Sequence, residues 1–73
     1  MNTYKDFVIL MSDELGIDVS EIEAHSAFRE LRNWSSLNAL LLVSKIHEQT
    51  EILLSPAQLA SVTTVEELYK LLK

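Results

Sequence analysis

Cysteine is absent from this chain of 73 residues. That excludes disulfides and thiolate metal cages, and any thiol chemistry must come from a group added to the chain. A small domain without disulfides suits a reducing interior, so a cytoplasmic location is expected. Glycine and proline occur once each, which leaves little material for strands joined by tight turns. Basic residues are in the minority, 6 Lys and Arg against 11 Asp and Glu, for a net charge of −5. A nucleic-acid binder needs a basic face for the phosphates, so no nucleic-acid partner is expected. No unbroken apolar run, that of Ala39 to Val43 included, approaches the length of a membrane span. The start, "MNTYKDFVILM", carries one Lys followed at once by Asp6. A signal peptide has a basic start and a longer apolar centre, so neither a leader nor a membrane span is expected.

What is present is 48% hydrophobic, enough for a packed core and too much for disorder. The length allows one domain, taken as residues 1–73. A chain this short buries only about 60% of the surface it exposes when unfolded, so its stability is on the order of 3–5 kcal/mol. Leu is abundant, and Val and Ile are scattered rather than clustered, which favours helices. Asp6, Asp13, Glu14, Asp18, Glu21 and Glu23 face only Lys5 in the first part of the chain, and read as a solvated face.

Periodicity divides the chain. Tyr4, Phe7, Val8, Met11 and Leu15 recur at helical spacing, giving a first helix from Asn2 or Thr3 to Leu15, stopped by Gly16. Residues 17–33 form a long ordered connection. Ile17, Val19 and Ile22 are expected to pin it to the core, Ser20 and Glu23 have capping-box spacing, and Phe28 and Leu31 make a second anchor. A second helix is expected from Ser35 or Ser36 to about Glu48. On a wheel of roughly 100° per residue, Ala39, Leu40, Leu42, Val43 and Ile46 form its apolar arc. Leu37 and Leu41 fall on its polar side, either covered by the 17–33 loop or exposed for a partner. Ile52 and Leu54 alternate in an extended stretch. "SPAQ" then starts a short third helix from Pro56 to about Ala60, with Ser55 and Gln58 at capping-box spacing. Thr63 or Thr64, with Glu66 or Glu67, opens the last helix, whose core face is Val65, Leu68, Leu71 and Leu72. The fold class is all-α: a small four-helix bundle of three main helices and one short one, with a long loop between helices one and two.

Two adjacent serines precede the most apolar helix, in "RNWSSLNALLLVSKIHE". A capping hydroxyl is one use for either, worth roughly 0.5–2 kcal/mol. A second use is chemical. The first turn of a helix has unpaired N–H groups and a partial positive charge, so it favours an anion, and a hydroxyl just ahead of that turn is accessible to another enzyme. Trp34 reads as an aromatic plug over the loop. His25 and His47 lie on separate elements and, without Cys, read as surface histidines; no metal site is expected. A bundle this small has little room for the base and oxyanion hole of a serine hydrolase, so the protein is not expected to be an enzyme.

The whole pattern resembles the acyl carrier proteins and the wider group of acyl, peptidyl and aminoacyl carrier domains. The resemblance covers nearly the whole chain: a first helix, a long loop, a serine opening helix two, a short helix three, and a last helix starting near a Thr-Val pair. The family motif is Asp-Ser-Leu, and here it reads Ser35-Ser36-Leu37. "FRELRNW" is similar to the family's approach to the motif, and "EILLSPAQLASVTTVEELYKLL" to its last two helices. The resemblance implies a 4′-phosphopantetheine arm on Ser36, transferred from coenzyme A with Mg²⁺ by a phosphopantetheinyl transferase. Its thiol then holds an acyl or aminoacyl group as a thioester. The protein is then a stand-alone, monomeric carrier. Its partners are ligases, synthases or acyltransferases of fatty-acid, polyketide or related biosynthesis. Ser35 stands where the family has an Asp that resembles a docking contact for the transferase. The family's acidic second helix is largely replaced, with Glu48 the clear acid that remains. Partner contacts are therefore expected at Ser35, Leu37, Leu41 and Glu48, with apolar contact through the leucines. The alternative is a carrier-like interaction module that is never modified and uses Leu37 and Leu41.

Overall fold

The computed structural model describes residues 2–73. Thr3 opens α1 (Tyr4–Leu15) by accepting the Asp6 N–H on its side chain at 3.1 Å. Asp6 in the first turn complements the positive helix end. Gly16 ends the helix in the left-handed region, φ 66°, where a residue without Cβ is at no disadvantage. From α1, Phe7, Val8, Leu10, Met11 and Leu15 are buried and Tyr4 is half-buried.

The connection that follows is ordered by two 3-10 turns, Val19–Glu21 and Phe28–Glu30. Ile17, Ile22, Phe28 and Leu31 pack into the core as expected, but Val19 is exposed. The expected Ser20–Glu23 box is also corrected. The box runs from Asp18 to Glu21, with Asp18 accepting the Ser20 N–H at 2.9 Å and Glu21 accepting the Asp18 N–H at 3.2 Å. Asp18 brings a charged acceptor to the turn, and Arg32 fixes Glu21 through two donors at 3.0 and 2.8 Å. Val19 then sits inside the turn, pointing away from the core side taken by Ile17 and Ile22. The far part of the loop is stitched to the start of the last helix. Phe28 donates to the Thr63 carbonyl at 3.1 Å, Val65 to Ser26 at 3.0 Å and Glu66 to Ala24 at 2.9 Å.

The second helix, α2, spans Ser36–Thr50, two residues longer than expected. Its Leu42 and Ile46 are buried and Ala39 and Val43 half-buried. Leu40, placed on the apolar arc by its spacing, is exposed. The arc is wider than the neighbours that cover it, so only its centre is sealed.

A stretch carrying buried Leu54 leads to α3 (Pro56–Ala60), which starts with the expected Ser55–Gln58 capping box and Pro at the first turn. Thr64 and Glu67 form the box that opens α4 (Val65–Lys70). Val65 and Leu68 are buried, while Leu71 and Leu72, just past the helix end, are half-buried. One core results, built from α1, α2, α4, the first loop and Leu54 of the stretch before α3. The short α3 adds no buried side chain to it.

Candidate functional site

The two serines take different positions. Ser35 has extended backbone, φ −154°, and its hydroxyl accepts the Asn38 N–H at 3.1 Å, so it is the N-cap. Its carbonyl accepts the Ala39 N–H at 2.8 Å. Ser36 is the first helical residue, is exposed, and makes no side-chain hydrogen bond among the described residues. The cap satisfies the Asn38 N–H and leaves those of Ser36 and Leu37 without intrahelical acceptors. The first turn of α2 contains no acid. Its positive end is therefore free to meet an anion.

The tip of α2 is held by residues outside the motif. Asn33 adopts the left-handed conformation, φ 67°. Its side-chain amide donates to the Leu15 carbonyl at 2.9 Å, and its own carbonyl accepts from the Asn38 side chain at 2.8 Å. One residue thus ties the end of α1 to the start of α2. Trp34 sets its ring edge-on to buried Phe28, centroids 5.3 Å apart, which matches the expected plug. Asn33 was not singled out from the sequence. The available signal was that Asn, among residues other than Gly, best tolerates positive φ.

Ser36 stands on the rim of a groove of about 880 Å³ between α2 and α3. Ala39, Leu40 and Val43 line the α2 side, and Leu53, Leu54, Pro56 and Leu59 the other. The groove explains where Leu40 goes: it faces a space rather than the core. Leu53 and the α3 wall are further site residues that spacing did not reveal, because they come from separate short segments. Leu37 (65% exposed), Leu41 (44%) and Leu40 (66%) leave a broad apolar surface on α2 beside Ser36. Ser35 and Leu37 flank Ser36 directly. Glu48 lies at the other end of the helix, exposed and within 3.9 Å of Lys45, so it belongs to the same helix but not to the motif end. His25 and His47 are both exposed, with His25 beside Glu23 at 3.8 Å. Among the described residues no group of three or more His, Asp or Glu side chains is placed to hold a metal ion.

A family model described as a phosphopantetheine attachment site matches residues 6–72. The chain belongs to the phosphopantetheine carrier family. No curated protein matches it. Members of the family carry 4′-phosphopantetheine covalently, and their carrier domains act as substrates of modifying and biosynthetic enzymes rather than as catalysts. The residues here suit that group. An exposed hydroxyl without a hydrogen bond stands beside free helix N–H groups for a phosphodiester, and an apolar groove opens from it. No helix among the described residues is long and apolar enough to cross a membrane.

Proposed function

We propose that Ser36 is the attachment point of the 4′-phosphopantetheine group and that the protein carries acyl or aminoacyl units between enzymes. The observation that carries this reading is the division of labour between the serines. Ser35 is committed to the helix cap, while Ser36 presents a free hydroxyl at the groove rim. When bound, the group supplies a terminal thiol that holds the unit as a thioester. The chain supplies the rest. Ser36 Oγ would be the tether, the Ser36 and Leu37 N–H groups would be available to the phosphodiester, and Asn33 with Ser35 keeps that helix tip in place. The α2–α3 groove gives the carried chain an apolar surface away from water.

The transferase that installs the arm meets a neutral Ser35. The partner enzymes of fatty-acid, polyketide or related biosynthesis meet Leu37 and Leu41, with Glu48 at the far end of α2. Contact through these leucines is largely apolar, because both are exposed and the Lys45–Glu48 pair lies further along the helix. Incubation with coenzyme A, Mg²⁺ and a broad-specificity phosphopantetheinyl transferase, followed by intact-mass measurement, tests the reading. The expected result is a gain of one phosphopantetheinyl group that Ser36→Ala abolishes and Ser35→Ala preserves. No gain, or a gain that survives Ser36→Ala, overturns it.

A second reading is favoured by the exposure of Leu37, Leu40 and Leu41 together with the neutral residue at position 35. Here the chain is a carrier-like interaction module without an arm. Protein isolated from its own source distinguishes the two. Bare Ser36 with a bound partner that is lost on Leu41→Asp and retained on Ser36→Ala supports the module.

A further inference from the structure

The short α3 forms one wall of the groove yet contributes no buried side chain. Its first turn is held by its own capping box, Ser55 with Gln58. Its far end is held from another part of the chain. The Arg29 guanidinium donates from Nη2 to the Leu59 carbonyl and from Nη1 to the Val62 carbonyl, the latter at 2.9 Å. These bonds cross 30 and 33 residues of sequence. The guanidinium also lies over the Phe28 ring, 4.5 Å from its centroid. Phe28 is fully buried, and its N–H is bonded to Thr63, so the base of the Arg29 side chain is fixed. One planar fork thus joins a rigid support to an element that has little packing of its own.

We propose that Arg29 is a positioning residue: it latches α3 against the groove and thereby sets which lengths of carried acyl chain the groove accepts. The part concerning cargo rests on the attachment of the arm at Ser36; the latch itself does not. Segments with few buried contacts open locally before the rest of the fold, so the latch governs a local opening of α3. Lys at this position keeps the charge but not the fork, and cannot meet two carbonyls in a fixed geometry.

Amide hydrogen exchange on the full unmodified chain tests the latch. In Arg29→Met, the Leu59 and Ser61 amides, bonded to Ser55 and Ala57, are expected to exchange about tenfold faster, the scale of losing a hydrogen bond of this kind. Met11 in α1 and Leu68 in α4 are expected to change much less. Arg29→Lys is expected to resemble Arg29→Met at α3. Equal acceleration in α1, α3 and α4 marks a general loss of stability and overturns the proposal, as does unchanged α3 exchange or full rescue by Lys. For the cargo, the wild-type and Arg29→Met chains are loaded with octanoyl- or hexadecanoyl-phosphopantetheine from the matching coenzyme A thioesters. Thioester cleavage by hydroxylamine is then timed. The wild type is expected to shield the two lengths unequally and Arg29→Met to reduce that difference; an identical ratio in both proteins overturns the cargo clause. Failure to load at Ser36 counts against the carrier reading and removes the cargo clause with it, while the exchange result still decides the latch.

Discussion

The hydroxyl of Ser35 accepts the backbone N–H of Asn38 at 3.1 Å, and this bond separates two chemically identical neighbours by role. Removing the cap exposes an orphan donor; removing the Ser36 hydroxyl does not. Ser35→Ala is expected to cost about 1 kcal/mol in urea denaturation, and Ser36→Ala to stay within about 0.5 kcal/mol of the wild type. Ser35→Asp retains a capping acceptor and adds a negative charge at the positive helix end, so it is expected to stabilise the fold by about 0.3–1 kcal/mol at low salt. Because it restores the carboxylate usual in the family motif, it is also expected to raise the rate of arm transfer in a timed mass assay. A slower transfer with Asp would show that the enzyme serving this chain reads the neutral serine.

Asn33 carries a backbone requirement and a hydrogen bond at once. Asn33→Ala keeps a Cβ in the left-handed region without the polar side chain that makes Asn tolerant of it, and deletes the bond to Leu15, for an expected loss of about 2 kcal/mol. Asn33→Gly relieves the backbone part, and is expected to lose about half as much by the same two contributions. Both are read from denaturation midpoints. Equal losses would show that φ at this position is not costly for Ala.

These two residues also mark what the sequence reveals and what it conceals. The Ser55 cap is legible because its box lies within one turn, as are the first-helix face and the Gly16 stop, while the sequence leaves the last cap between Thr63 and Thr64 and the structure selects Thr64 with Glu67. The Asp18–Glu21 box was missed in favour of Ser20–Glu23, since both spacings fit and the choice is made by Arg32, eleven residues from Glu21. The motif resemblance points to Ser36 as the proposed attachment point. Its free hydroxyl was not legible, because either serine could have been the cap. The exposure of Leu40 and the Arg29 bonds to α3 depend on contacts between distant segments, which periodicity does not encode.

The Tyr4 hydroxyl is buried and has no hydrogen-bond partner among the described residues. Its ring packs edge-on to Tyr69, centroids 5.5 Å apart. Burial raises its pKa above the ordinary value, and nearby Glu66 raises it further. Tyr4→Phe keeps the ring and deletes the unsatisfied group, so it is expected to leave stability unchanged or raise it by up to about 1 kcal/mol. The raised pKa adds a pH signature. The wild type loses stability as pH rises past 10 toward the higher folded value, and Tyr4→Phe is expected to lose less there. A lower melting temperature for Tyr4→Phe at pH 7 would reveal a partner, such as an ordered water, for the hydroxyl.

Acid acts on the caps. Glu21 is held below its ordinary pKa of 4.5 chiefly by its hydrogen bond from Arg32, and Glu67 chiefly by the Thr64 N–H. Asp6 and Asp18 are held below 3.8 chiefly by the N–H groups of Asn2 and Ser20. Each folded value lies below the unfolded one. The stabilisation is therefore complete above about pH 5 and declines as pH falls through 4.5, 3.8 and the lower folded values. Melting temperatures between pH 7 and pH 3 are expected to be flat above pH 5 and to fall below it. Glu67→Gln keeps an acceptor for the Thr64 box but cannot titrate, so its acid slope is expected to be shallower. A slope identical to that of the wild type would remove Glu67 from the acid response.

Leu41 and Leu42 are neighbours with opposite surroundings, 44% and 2% exposed. Leu42 lies in the core with Ile46, and truncating it removes transfer free energy and leaves a cavity. Leu42→Ala is expected to cost about 2–5 kcal/mol, a large share of what so short a chain has. Leu41→Ala removes atoms already half in water, and is expected to change stability by no more than about 0.5 kcal/mol. Their effects on partners should be reversed. On the carrier reading, Leu41→Asp places a charge on the face beside Ser36, and is expected to weaken transfer of the carried unit to a partner enzyme by tenfold or more, about 1.4 kcal/mol, with the fold intact by circular dichroism. Leu41→Met retains apolar area and should largely preserve transfer. If Leu41→Asp transfers its cargo as well as the wild type, partners do not read this face through Leu41.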